Sequence, residues 1–279
     1  MNIQAVERLL FHPTKRAKNE APAGAVNIDI PLADGVILGA RFFSHAASSP
    51  TLIFFHGNTE CVPEHDEIGP CYVAEGLNFL VIDYRGFGWS GDEPRLATLL
   101  PDAGTAFLYV KNWLAEHGYT GPLAVMGRSL GSACAIEVAA RYGDDIRALV
   151  IESGFARALP VAQALGLEQE DLTDAEDPFA NAAKIGGIGK PTLILHGSCD
   201  QLIGLWQAEL LHERSAAKNK ELQVVPGAGH NTVIEKGGRH YFTAIGNFVG
   251  KAAGTAPDWR ARRRALKAGQ APQNGEPQS

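Results

Sequence analysis

Six runs of strand length in this chain do not alternate polar and apolar residues: 51–55 (TLIFF), 79–83 (FLVID), 123–126 (LAVM), 148–151 (ALVI), 191–195 (PTLIL) and 221–225 (ELQVV). A strand with one wet face alternates; a strand covered on both faces does not. Helical stretches lie between these runs. Residues 98–117 keep Leu99, Ala103, Ala106, Phe107, Val110 and Leu114 on one apolar face. Residues 130–142 are small and apolar, which suits a helix buried near the centre of a sheet, and 205–217 and 235–250 supply two more helices. Strand and helix in repeated alternation predict an α/β fold with a mainly parallel sheet and right-handed crossovers. Ahead of it, segments 25–32 and 36–44 flank the turn Ala33-Asp34-Gly35 and read as an antiparallel hairpin.

One connection is longer than the rest. Residues 154–190 carry an acidic stretch from Glu168 to Asp177, then Pro178, and a GGIG run at 186–189. Residues 154–184 are expected to form a short helical insertion over the C-terminal edge of the sheet, a partial lid. The whole of 1–254 reads as one domain, followed by a tail over 255–279. That tail holds Arg260, Arg262, Arg263, Arg264 and Lys267 and too little apolar surface to fold alone. It is expected to be largely disordered and solvated, with a possible helical stub at 257–267. Weak contact with an anionic membrane or an acidic partner is the alternative use of its charge.

Composition narrows the class. Of 279 residues, 45% are apolar and 20% charged, the balance of a globular domain. A net charge of −6 argues against a general nucleic-acid binder. The N-terminus lacks the pattern of a secretory signal, and no run is long and apolar enough to span a membrane, so a cytoplasmic protein is expected. Val6, Leu9 and Leu10 mark a short amphipathic helix, expected to pack on the domain rather than on a membrane surface. Cys61, Cys71, Cys134 and Cys199 lack paired spacing and read as reduced thiols, with no zinc site.

The chemistry centres on Gly127-Arg128-Ser129-Leu130-Gly131, which follows a strand and precedes a helix. A sharp strand-to-helix turn pushes a serine hydroxyl out above a sheet, flanking glycines relieve crowding, and the helix N-terminus aims an amide at a reacting carbonyl. The pentapeptide alone is weak; its context decides. A serine needs a base, and the base needs an orienting acid. Reading onward, PTLILHGSCD delivers Asp200 just past a strand, and ELQVVPGAGH delivers His230 past the next. Serine, acid and histidine thus come in the order expected of this architecture, each at the C-terminal end of a parallel strand, where open α/β sheets place their sites.

Each residue has a plainer alternative. Asp200 could cap the helix at 205–217, Glu152 is a rival acid, and His230 could be a satisfied loop histidine. His56, His196 and His240 also fall near site edges; the first two more naturally hold loops. An acyl-transfer site needs oxyanion donors as well. Leu130 N–H is one candidate, and Asn58, in the loop Phe55-His56-Gly57-Asn58-Thr59, is the other unless it is an ordinary turn residue. In the loop Asp83 to Ser90, Asp83 and Arg85 are expected to pin the backbone. Tyr84, Phe87 and Trp89 are candidates either for lining an acyl pocket or for packing.

Together FFHGN, DYRGFGWSG, GRSLGS, HGSCD and GAGHN resemble the α/β-hydrolase superfamily over about residues 25–250. More narrowly they resemble the branch of serine aminopeptidase-like hydrolases and depalmitoylating α/β-hydrolase-domain proteins. The resemblance implies Ser129, Asp200 and His230 as a catalytic triad, with Asn58 and Leu130 as the oxyanion hole and no metal or organic cofactor. The chain departs from the pattern in a short lid and in Ser132, where many relatives have glycine. The superfamily includes esterases, thioesterases, lipases, amidases and peptidases, so the motifs do not choose a substrate. The expected activity is hydrolysis of a carboxylic ester or thioester with a short to medium acyl chain. Amide or peptide hydrolysis, or a non-catalytic scaffold, are the alternatives.

Overall fold

A computed structural model describes residues 7–8, 10–166 and 177–255. Among these residues, eight strands form one sheet: β1 (Ala25–Pro31), β2 (Ile37–Phe43), β3 (Thr51–Phe55), β4 (Asn78–Ile82), β5 (Leu123–Arg128), β6 (Ile146–Glu152), β7 (Thr192–Gly197) and β8 (Lys220–Val225). Their order in space is β1-β2-β4-β3-β5-β6-β7-β8. The hairpin β1–β2 and the pair β2–β4 are antiparallel. From β4 through β8 every pairing is parallel.

The continuous apolar strands are explained by two cores, one on each face. Alternate residues Ile53, Phe55, Leu80, Ile82, Val125, Leu149 and Ile151 point one way. They meet Phe107 and Val110 of α2 (Leu96–Glu116) and Ile136 of α3 (Gly131–Arg141), with α1 being Gly69–Ala74. Their neighbours Leu52, Phe54, Phe79, Val81, Ala124, Met126 and Val150 point the other way. There they meet Tyr72 of α1 and Tyr241, Ile245, Phe248 and Val249 of the C-terminal helix Val233–Ala253. The spacing of those four C-terminal residues is one helical stripe. That helix stops at Gly254, whose φ of +73° is the left-handed cap that suits glycine.

At the sheet centre α3 lies against the backbone of β3. A Cβ at Gly131 would run into the carbonyl of Phe55, and Ala133, Cys134 and Ala135 beyond it are fully buried. Small residues there are the condition for the close approach.

In the described part of the long connection, α4 (Ala158–Ala164) and α5 (Asn181–Lys184) replace the simple strand–helix crossover. Asp177 ties the two ends together, accepting amide bonds from Ala158 at 2.9 Å and from Phe179 at 2.9 Å. Gln207, on α6 (Leu205–Arg214), accepts from the amides of Ala156 and Arg157, each at 3.0 Å, and holds the segment to the domain. The acidic stretch from Glu168, the basic tail, and Val6 and Leu9 lie outside the described residues. Of the described residues there, Leu10 and Phe11 are buried in the domain core. The four cysteines are free thiols, and burial pushes Cys61 up to about 12. No helix among the described residues is long and apolar enough to cross a membrane.

Candidate active site

The turn from β5 into α3 has little freedom. Ser129 has φ +51°, a left-handed conformation that a residue with a Cβ adopts only when its surroundings impose it. Those surroundings are visible. A Cβ at Gly127 would strike the carbonyl of Gly131, and one at Gly131 would strike Phe55, so neither glycine can be replaced without moving backbone. The Ser129 amide donates to the Glu152 carbonyl at 3.0 Å. The Ser132 hydroxyl donates to the Ser129 carbonyl at 2.6 Å, which gives the departure from glycine a packing role.

Ends of two further strands reach this turn. His230 Nε2 lies 2.9 Å from Ser129 Oγ, and His230 Nδ1 lies 2.8 Å from Asp200 Oδ2. With Nδ1–H donating to the carboxylate, Nε2 is left to accept from the hydroxyl. Asp200 does not cap the helix at Leu205–Arg214, whose N-cap is Gly204; its two oxygens have separate partners. Oδ1 accepts the amides of Leu202 at 3.0 Å and Ile203 at 2.8 Å, fixing the turn before α6, while Oδ2 faces the imidazole. Burial pushes the Asp200 carboxyl up, but His230 and the Ile203 amide outweigh it and hold it below the usual carboxylate range.

The rival groups are engaged in other bonds. Glu152 is buried, accepts from Tyr241 Oη at 2.6 Å and pairs with Arg128 at 3.3 Å. Burial pushes its carboxyl up. His196 Nε2 donates to the Ile203 carbonyl at 2.7 Å and lies 3.4 Å from Asp200, and burial pushes its pKa down. His56 spans the Gly57 carbonyl at 2.7 Å and Asp83 at 3.1 Å, holding its loop. His240 is exposed on the C-terminal helix.

A cavity of about 130 Å³ opens beside Ser129. Asn58 and Leu130 both line it, together with Ser129 and His230. The Asn58 side-chain oxygen accepts the His12 amide at 3.0 Å, so its orientation is set by the N-terminal segment. The apolar wall is Leu10, Phe155, Val161, Leu165, Phe179 and Leu202. Tyr84, Phe87 and Trp89 are not part of it. The Tyr84 hydroxyl donates to the His56 carbonyl at 2.7 Å, and Phe87 is fully buried against Tyr84 and His56. Trp89 covers Gly39 and stacks over Arg41. Their loop is turned into the core because Arg85 is held by Asp102 at 2.6 Å and Asp34 at 2.6 Å, and Asp83 by the Val62 amide at 2.8 Å.

Other residues of the site carry no signal of their role in the local sequence. Leu10 and His12 reach the cavity from far along the chain, and nothing in their local pattern signals it. Arg128 stands inside the pentapeptide, but its partners lie at three other strand ends that its local sequence does not reveal.

The fold and this edge of the sheet define an α/β-hydrolase architecture, and the chain belongs to the α/β-hydrolase superfamily. Within it, the profile described as serine aminopeptidase, S33, matches residues 46–169, which covers Ser129 but ends before Asp200 and His230. An uncharacterized protein of Mycobacterium tuberculosis is 29% identical over 88% of each chain. Alpha/beta hydrolase domain-containing protein 17B of Xenopus tropicalis is 30% identical over 71% of this chain and 66% of its own. The esterase Pf2001 of Pyrococcus furiosus superposes with a TM-score of 0.71 at 21% identity, over 86% of this chain and 98% of the esterase, a likeness of fold.

Proposed function

We propose that this protein is a serine hydrolase that cleaves a carboxylic ester or thioester through an acyl-enzyme. The observation that carries the reading is the unbroken relay from Ser129 Oγ to His230 at 2.9 Å and on to Asp200 at 2.8 Å. In the first half-reaction His230 Nε2 takes the hydroxyl proton as Oγ attacks the acyl carbon. Asp200 holds the imidazole in the required tautomer and balances the imidazolium that forms. The amides of Leu130 and Asn58 stabilise the developing oxyanion, a contribution of about 3 kcal/mol per donor in comparable sites. His230 then returns the proton to the departing alcohol or thiol. In the second half it deprotonates a water that attacks the acyl carbon and frees Ser129.

The apolar wall of Leu10, Phe155, Val161, Leu165 and Phe179 favours an acyl chain of short to medium length. The same wall suits an acyl group better than a free α-ammonium group, which supports reading ester hydrolysis before aminopeptidase action. The likeness to the serine aminopeptidase profile keeps amide hydrolysis as the second reading. Incubation with a fluorophosphonate probe tests the proposal. Wild type should label and Ser129→Ala should not, while a panel of p-nitrophenyl esters, acyl thioesters and aminoacyl anilides ranks the substrates. Well-folded wild type that resists the probe refutes it.

A further inference from the structure

The Arg128 guanidinium, beside the nucleophile Ser129, joins three different strand ends. Nε donates to Glu152 Oε1 at 3.3 Å, at the end of β6. Nη1 pairs with Glu60, in the loop after β3 that also holds Asn58. Nη2 donates to the backbone carbonyl of His230 at 3.0 Å and to Asn231 Oδ1 at 2.9 Å, in the loop after β8. The side chain is largely buried. The anchor is itself anchored: Glu60 Oε2 accepts the Gly57 amide at 2.9 Å, and Tyr241 secures Glu152 at 2.6 Å. Gly57 has no room for a side chain because a Cβ there would come 2.5 Å from Nη1. That contact, rather than a special backbone angle, is the reason for glycine at this position.

We infer that Arg128 is a positioning residue for catalysis, one guanidinium fork that sets the His230 loop and the Asn58 loop against the nucleophile turn. The inference rests on the serine-hydrolase reading and adds to it. A buried ion network is a poor source of net stability, because the desolvation of its members offsets most of their attraction. It is a good source of fixed geometry, since a planar fork with several donors allows one arrangement where an ammonium allows many. The relay depends on that geometry: a misplacement of about 1 Å costs on the order of 100-fold in rate. Arg128 and Asn231 border the cavity, but the tie runs to the backbone carbonyl of His230 and acts on the imidazole's place. The effect should therefore fall on kcat and leave KM in place.

The test compares Arg128→Lys, Arg128→Met and Asn231→Ala with wild type. It reads the fluorophosphonate labelling rate, kcat and KM on one p-nitrophenyl ester, with near-UV circular dichroism to verify folding. Both Arg128 variants should label and turn over about 10- to 100-fold more slowly with KM within about threefold. Arg128→Lys should fare little better than Arg128→Met, since charge alone does not reproduce the fork. Asn231→Ala, which cuts only one strand of the tie, should slow labelling by about 3- to 10-fold and keep its fold. Folded Arg128→Lys and Asn231→Ala that label at the wild-type rate overturn the inference. If neither Arg128 variant folds, Asn231→Ala decides alone. Wild type that fails to label removes the hydrolase reading and this inference with it; labelled wild type with unslowed variants removes this inference only.

Discussion

Replacing Asp200 by Asn changes one atom and should stop the relay without dismantling the fold. The two amides of Leu202 and Ile203 point at Oδ1, at 3.0 and 2.8 Å. They can only be met by the amide oxygen of an asparagine. The side-chain NH2 must then occupy the place of Oδ2, 2.8 Å from His230 Nδ1. A donor facing Nδ1 forces that nitrogen to accept, so the ring proton moves to Nε2. Nε2 then presents a proton to Ser129 and cannot take one. In the well-studied serine proteases a change of this kind lowers kcat by about 10,000-fold, which corresponds to about 5 kcal/mol in the barrier. The same two backbone bonds that force the wrong tautomer also preserve the turn, so unfolding midpoints should stay close to wild type. The assay is kcat/KM on a p-nitrophenyl ester alongside thermal unfolding. Asp200→Asn with activity within about tenfold of wild type would refute the tautomer argument.

Three further outcomes follow from the geometry. His56 has acceptors at both ring nitrogens, Gly57 O at 2.7 Å and Asp83 at 3.1 Å. Burial works against its charge, but the Asp83 hydrogen bond and charge outweigh that and raise its pKa. Its stabilising effect is therefore complete below the ordinary histidine value near 6.5 and is lost as pH rises through the folded value. Urea midpoints should fall from about pH 6 to about pH 9 in wild type and change less in His56→Gln; a flat wild-type curve contradicts this. Gly131→Ala drives a methyl into the Phe55 carbonyl. It should cost about 3 kcal/mol or more and lower Tm by roughly 6 °C or more, and an unchanged Tm would deny the close approach. Val161→Phe fills part of a cavity of about 130 Å³. It should lower kcat/KM for p-nitrophenyl octanoate about tenfold relative to acetate, whereas an unaltered chain-length profile would put the acyl chain elsewhere.

The sheet was legible because its strands are buried on both faces, and β3 coincides with the run TLIFF at 51–55. Hydropathy ends three of the strands too early, where the site begins. β5 continues past Met126 to Arg128, β6 past Ile151 to Glu152, and β7 past Leu195 to Gly197. Those added residues are polar or glycine and are buried by ion pairs and hydrogen bonds instead of apolar packing, so hydropathy does not carry the strands that far. Serine, acid and histidine could be picked out because each falls just past a strand end. Tyr84, Phe87 and Trp89 look like pocket residues for the same reason, but the Arg85 ion pairs turn their loop inward. The true walls come from Leu10 and from the segment around Phe155 and Phe179, brought together only by tertiary contacts that leave no periodic trace.

The most direct measurement is to catch the covalent intermediate. Wild type is mixed with p-nitrophenyl butyrate, quenched in acid within the first turnovers, digested and mapped by mass spectrometry. A butyryl group is expected on the peptide bearing Ser129, and none in Ser129→Ala. An acyl group on another residue, or turnover with no acylated peptide at any quench time, contradicts it.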